Sequence, residues 1–156
     1  MRFTAQEEYG LRCALQMAKK DGEKPLTIAD LAKLEGLTSA YVAKLMRVMR
    51  KGEVVVSVRG QSGGYRLARP PALMSVADVL MVLDRRLYQP SYCRQFAGSS
   101  PSCVHIRDCT IRALWRKLQT TLWHTLEQIT LADLVHGGES EMLVSLRTAL
   151  PVARCS

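Results

Sequence analysis

The stretch TIADLAKLEGLTSAYVAKLMRVMRKG, residues 27–52, followed at once by EVVVSVRGQSGGYRLARP, residues 53–70, leaves the chain few folds to choose from. Apolar residues recur every three or four positions as far as Met49, and then give way to a β-branched run and a glycine-rich turn. Thr27 is suited to cap a first helix, with Asp30 near its positive end and Ile28, Leu31 and Leu34 as its apolar stripe. Gly36 suits the left-handed residue that stops it. A second helix restarts at Thr38 or Ser39 and runs to about Arg50, with Val42, Leu45, Met46 and Met49 inward. Ala40, Lys44, Arg47 and Lys51 are left on its outer face. Two short helices joined by a tight turn, the second polar at its start and basic outside, form the pattern of a helix-turn-helix, though an ordinary helical hairpin fits these residues as well.

The next residues weigh against that simpler hairpin. Val54 to Val58 reads as one strand, residues 60–64 as a turn and Tyr65 to Leu67 as a second strand. A β-hairpin behind a helix-turn-helix is a wing. Arg59 at its tip, flanked by Arg66 and Arg69, is placed to reach phosphates or the minor groove.

Charge agrees with this placement. Residues 1–70 hold 13 Lys and Arg against 7 Asp and Glu, while residues 71–156 hold 9 against 7, so most of the formal net charge of +8 lies in the first part. A basic first domain is the electrostatic footprint of a polyanion binder, and solubility alone is the plainer reading of the same charge. The start of the chain has no apolar signal core, and no apolar run is long enough to span a bilayer, so a cytoplasmic protein without a membrane partner is expected.

Upstream, residues 5–19 carry Tyr9, Cys13, Leu15 and Met17 with Ala14 and Ala18 between them, an amphipathic helix. Downstream, Ser75 caps a short helix with Val76, Val79, Leu80 and Leu83 apolar. From about Thr110 a long helix is expected, its seam formed by Ile111, Trp115, Leu118, Leu122, Leu126 and Ile129. Few other elements are available to cover that seam, and a second copy of the chain is its natural cover. A short helical pattern after HGGESE and a frayed end at PVARCS complete the chain.

Between the two parts lies SYCRQFAGSSPSCVHIRDCT, residues 91–110, which holds three of five cysteines in a stretch rich in glycine, serine and proline. A loop does not easily bury three thiols, and an odd count argues against a closed disulfide framework, so metal binding or thiol chemistry is expected. Three cysteines with a histidine also make an acceptable zinc set, and a cluster-free thiol switch is a further alternative. Cys13 belongs to the apolar face of the first helix and reads as core, with a redox role as the alternative, and Cys155 has no assigned role. A small redox protein would have no need of the wing. Nothing here has the nucleotide-binding glycines, Ser/His/Asp set or Cys-x-x-Cys pair of an enzyme, and none is expected.

MRFT at the start, EYGLR at 8–12, TIADLA at 27–32, GLTSAYVAKL at 36–45, VVVSVRGQSGGYRLAR at 54–69, SVADVL at 75–80, CTIRALW at 109–115 and ITLADLV at 129–135 together resemble the Rrf-two family of bacterial transcription regulators. They run in order across nearly the whole chain. The resemblance implies a mainly α fold with a small β-hairpin wing: a winged helix-turn-helix domain over residues 1–70, a short helix and cysteine-bearing loop over 71–109, and a dimerisation helix with its tail over 110–156. It implies a homodimeric regulator, a repressor by preference, on a palindromic double-stranded DNA operator. Thr38, Ser39, Ala40, Tyr41, Lys44, Arg47 and Arg50 of the recognition helix and Arg59, Gly60 and Arg66 of the wing are the expected DNA-binding residues. Some members have an acidic side chain where this chain has Ala43, so base preference does not carry over.

In cluster-binding members three loop cysteines ligate an iron-sulfur cluster, [4Fe-4S] or [2Fe-2S], and these map onto Cys93, Cys103 and Cys109. Nine residues separate the first pair, more than the family's usual gap, and five the second. Lengthening a flexible loop by a few residues adds only a few tenths of a kcal/mol to its closure. Where some members place a histidine ligand this chain has Arg112, which cannot ligate. The nitric-oxide-responsive type, which this chain resembles more closely, uses instead an acidic residue of the first helix contributed across the dimer, and it matches Glu8. His105 and Asp108 are the local alternatives.

Overall fold

The computed structural model describes residues 4–60, 63–83, 93, 96–100, 102–105 and 107–137. Helix α1 (Ala5–Lys19) opens with a reciprocal cap, in which the Thr4 side chain accepts from the Glu7 backbone N–H and the Glu7 carboxylate accepts from that of Thr4. Gly10, Cys13, Ala14, Met17 and Ala18 form its buried face. Gly10 is a close-approach position, since a Cβ there would lie 2.4 Å from the Leu83 side chain.

Helix α2 (Ile28–Glu35) repeats the cap with Thr27 and Asp30 and stops where Gly36 takes φ 66°, the left-handed conformation expected of it. Leu31 and Ala32 are buried, but Leu34 is not: it is 51% exposed. The stripe expected on Ile28, Leu31 and Leu34 is instead completed by Glu35, which takes the inward position because α1 supplies partners for its carboxylate. Helix α3 (Ser39–Lys51) has Thr38 as its N-cap and buries Val42, Leu45, Met46 and Met49, the four residues expected.

Strands β1 (Val55–Val58) and β2 (Gly64–Leu67) pair antiparallel with Val55 opposite Leu67 and Val58 opposite Gly64. Leu26 extends this hairpin by one bridge, exchanging both backbone hydrogen bonds with Tyr65 at 3.0 and 2.7 Å. At the tip Gly60 takes φ 111°, and a Cβ on Gly63 would lie 2.7 Å from the Val58 carbonyl oxygen, so the turn needs both glycines. A 3-10 turn (Pro71–Leu73) leads into α4 (Val76–Leu83), whose start is held by hydrogen bonds exchanged between Ser75 and Asp78.

Helix α5 (Thr110–Glu127) is the long helix expected, yet it ends before Ile129. Thr130 and Asp133 form a fourth reciprocal cap and begin a new helix, α6 (Leu131–His136), which the periodicity alone did not indicate. Ile129 therefore leaves the seam. Its carbonyl accepts from Val76 N–H at 2.8 Å, while Leu131 N–H donates to the Met74 carbonyl at 2.9 Å. This bridge places Leu131, fully buried, in the same core as Cys13, Leu31, Leu45, Met49, Met74 and Val79. No described helix is long and apolar enough to cross a membrane. The short helix expected after residue 136, and Cys155, lie outside the described residues.

Candidate nucleic-acid interface and cysteine segment

Once α3 buries its four apolar residues, the helical period obliges Ser39, Ala40, Lys44, Arg47 and Arg50 to face solvent, and all five are exposed, as is Thr38. Tyr41 is half-buried and packs back on the core. On the wing Arg59, Gly60 and Arg66 are exposed. Among the described residues none of Lys44, Arg47, Arg50, Arg59 or Arg66 is engaged in an ion pair, so their charges face outward uncompensated. Arg69 differs from the expectation. Its guanidinium lies 3.2 Å from the Asp78 carboxylate, which ties the foot of the wing to α4 rather than presenting the charge at the tip.

Behind the recognition helix is a polar cluster that sequence periodicity did not reveal. The Glu35 side chain is 2% exposed and accepts from Arg12 Nε at 2.6 Å and from Gln16 Nε2 at 2.7 Å. Arg12 also lies 5.4 Å from the centre of the Tyr9 ring, and Tyr9 meets Tyr41 edge to face at 6.0 Å. Three helices are thus linked from α2 through α1 to the first turn of α3. The signal was there in principle: Arg12 and Gln16 are four apart on α1, and Glu35 stands where an apolar residue belongs on α2. Next to this cluster, burial pushes the Cys13 thiol up to about 11, assisted by the Glu35 carboxylate and opposed by Arg12. Cys13 is a core residue whose thiol stays protonated, the plainer of the two readings made of it.

Cys93, Cys103 and Cys109 are each half-buried. Cys109 is the N-cap of α5, its sulfur accepting the Arg112 backbone N–H at 3.4 Å. His105 and Asp108 are exposed. Glu8 is exposed in the first turn of α1, and its carboxylate has no hydrogen bond or ion pair among the described residues. No three His, Cys, Asp or Glu side chains are gathered closely enough to hold a metal ion among the described residues, so the expected ligands stand apart within one chain. In kind, three half-buried thiols suit an iron-sulfur cluster, and a backbone N–H directed at Cys109 is the sort of contact that tunes a ligating sulfur.

A capped helix-turn-helix with a basic outer face and a two-stranded hairpin behind it define a winged helix-turn-helix protein. The model of the Rrf2 family, described as an iron-dependent transcriptional regulator, matches residues 3–137. Protein rrf2 of Nitratidesulfovibrio vulgaris is 33% identical over 138 residues, which cover 88% of this chain and 89% of that protein. The HTH-type transcriptional regulator IscR of Sodalis glossinidius is 32% identical over 139 residues, 89% of this chain and 81% of that one. Among solved structures, T. potens IscR aligns with a TM-score of 0.68 at 28% identity, covering 97% of this chain and 93% of its own. The cysteine regulator CymR of B. subtilis, at 23% identity, shares the fold with a TM-score of 0.66 over 89% of this chain and 99% of its own. The chain belongs to the Rrf2 family: it is a transcriptional regulator of mainly α, winged-helix architecture and not an enzyme.

Proposed function

We propose that the chain acts in the cytoplasm as a homodimeric regulator, a repressor, that binds a palindromic double-stranded DNA operator and senses redox, nitric oxide or iron-sulfur status through a cluster on Cys93, Cys103 and Cys109. The observation that carries the DNA-binding part is the outer face of α3, where Lys44, Arg47 and Arg50 are exposed without an acidic partner beside an equally uncompensated wing. The dimer reading rests on α5, about 27 Å long. None of its residues is buried, and Ile111, Leu114, Trp115 and Leu118 are exposed by 38% to 61%. Covering that seam with a second copy would also set two recognition helices apart by a fixed distance, as successive major grooves about 34 Å apart require.

Cys93, Cys103 and Cys109 would hold the cluster, [4Fe-4S] or [2Fe-2S], with Glu8 of the partner subunit completing the set. Such a group, when bound, supplies a centre that reacts with nitric oxide or oxidants. Glu8 lies one turn from Arg12 on α1, and Arg12 joins α1 to α2 and, through Tyr9, to Tyr41 of α3. A change in how the start of α1 is held is therefore felt at the recognition helix.

The test is anaerobic purification of the full chain, assay of iron and acid-labile sulfide, and titration with nitric oxide while following visible absorption and binding to duplex from its own promoter. Colour and binding that change together are expected. A colourless, iron-free protein whose binding follows thiol oxidation or zinc instead selects the thiol-switch or zinc alternative, and absorption that changes without binding rejects the sensing model.

A further inference from the structure

Resting on the DNA-binding reading, the side-chain inventory of α3 carries it further, to the bases. Over Ser39–Lys51 the helix contains no Asp, Glu, Asn or Gln. The groups that accept from cytosine N4 or grip adenine N6 and N7 in the major groove are therefore missing. What it offers are cationic donors, the methyl groups of Ala40 and Ala43 and the hydroxyls of Ser39 and Tyr41, of which only that of Ser39 belongs to an exposed residue.

Their placement is as restrictive as their kind. At 100° per residue Ala40, Lys44, Arg47 and Lys51 lie opposite Val42, Leu45, Met46 and Met49, so they form the part of the helix that can enter a groove deepest. Helical side chains lean toward the N-terminus, which carries the Arg47 guanidinium over Ala43 and Ala40, one and two turns ahead. Both are too small to block it. Lys44 projects from the neighbouring turn, about 4.5 Å along the axis from Arg47, against a base-pair rise of about 3.4 Å. The two cations therefore reach base pairs that are adjacent or one apart. Arg50 lies toward the edge of the exposed face, and Lys51 in the last turn, where phosphates rather than bases are the nearer partners.

We infer that Arg47 and Lys44 give the regulator its base preference: each half-site carries two guanines, adjacent or one base pair apart, whose O6 and N7 receive these donors, with a thymine methyl set against Ala40. Arg47 makes the bidentate contact, Lys44 the second, and the methyl of Ala40 allows the close approach that both need.

Selection of bound duplexes from a random pool by the full anaerobically purified chain tests this. The expected consensus holds the guanine pair in both half-sites. In the Arg47→Ala protein the preference at one guanine, and in Lys44→Ala that at the other, falls by roughly tenfold to a hundredfold, the range of a lost bidentate contact. Replacing either guanine by 7-deazaguanine weakens the parent protein and leaves the matching variant unaffected. A consensus without the guanine pair, or one unchanged in both variants while only the salt dependence of binding falls, overturns the inference and leaves the DNA-binding reading intact. Retention of no duplex at any salt overturns both.

Discussion

At the scale of single residues, the Arg12–Glu35 pair shows how a polar side chain becomes part of a core. Glu35 is buried, whereas the Arg12 side chain remains 46% exposed and so pays little to reach it. Truncating Arg12 leaves the carboxylate with Gln16 alone. Arg12→Ala is expected to lower the unfolding free energy by about 1–3 kcal/mol in urea titrations. Replacing both partners by apolar residues of similar volume should restore most of it, because the cost lies in the stranded charge.

Cys13 makes a second prediction at this scale. Its thiol has an ordinary value of 9.0 and a folded value of about 11, so its proton is held more tightly in the folded chain. The resulting stabilisation is fully present below pH 9 and is lost as pH rises to about 11. Thermal melts across that window should show a steeper decline for the parent than for Cys13→Ala. In the folded, cluster-free protein at pH 8, alkylating reagents should label the half-buried Cys103 and Cys109 well before the fully buried Cys13, as peptide mass spectrometry would reveal.

Among the elements, α5 is the one whose sequence and surroundings disagree. It is amphipathic, yet none of its apolar face is buried within one chain: Ile111, Leu114, Trp115 and Leu118 are exposed, and Leu122 and Leu126 are only half-buried. Leu118→Glu adds charge at a position that is 48% exposed, so the folded monomer should change by no more than about 0.5 kcal/mol. If α5 is the contact of the proposed dimer, sedimentation velocity should nevertheless show this variant as a monomer where the parent sediments as a dimer. An unchanged mass with that substitution would remove α5 as the dimer contact. The wing and helix-turn-helix are the contrasting case, since their apolar residues are covered within one chain, by α1, α4, Leu26 and Leu131.

Over the whole molecule, α6 decides how the two ends of the chain are connected. Leu131 comes from beyond α5 and is fully buried beside Met74, so the winged helix is completed by a residue more than sixty positions after its wing. Leu131→Ala should cost about 2–5 kcal/mol by leaving a cavity, measurable as a fall in melting temperature. Ending the chain after Gln128 should destabilise the DNA-binding part even though no residue of α1 to β2 is touched. The same connection fixes the end of α5 against the start of α4, through the backbone bonds of Val76 and Leu131.

What was legible in the sequence were the local decisions. The caps at Thr27 and Thr38, the stop at Gly36, the inward residues of α3, the glycine turn of the wing and the helical character of α5 each follow from side-chain type and period, because capping, turn and amphipathic preferences act over a few residues. The tertiary structure decided the rest. Whether Leu34 or Glu35 faces inward depended on Arg12 and Gln16 of another helix, and whether Arg69 served the wing tip or the core side depended on Asp78. Whether Ile129 prolonged the seam or turned back depended on Val76 waiting to pair with it. These outcomes rest on partners distant in the chain, and a charge or a backbone carbonyl finds such a partner only once the fold has brought it within hydrogen-bond reach.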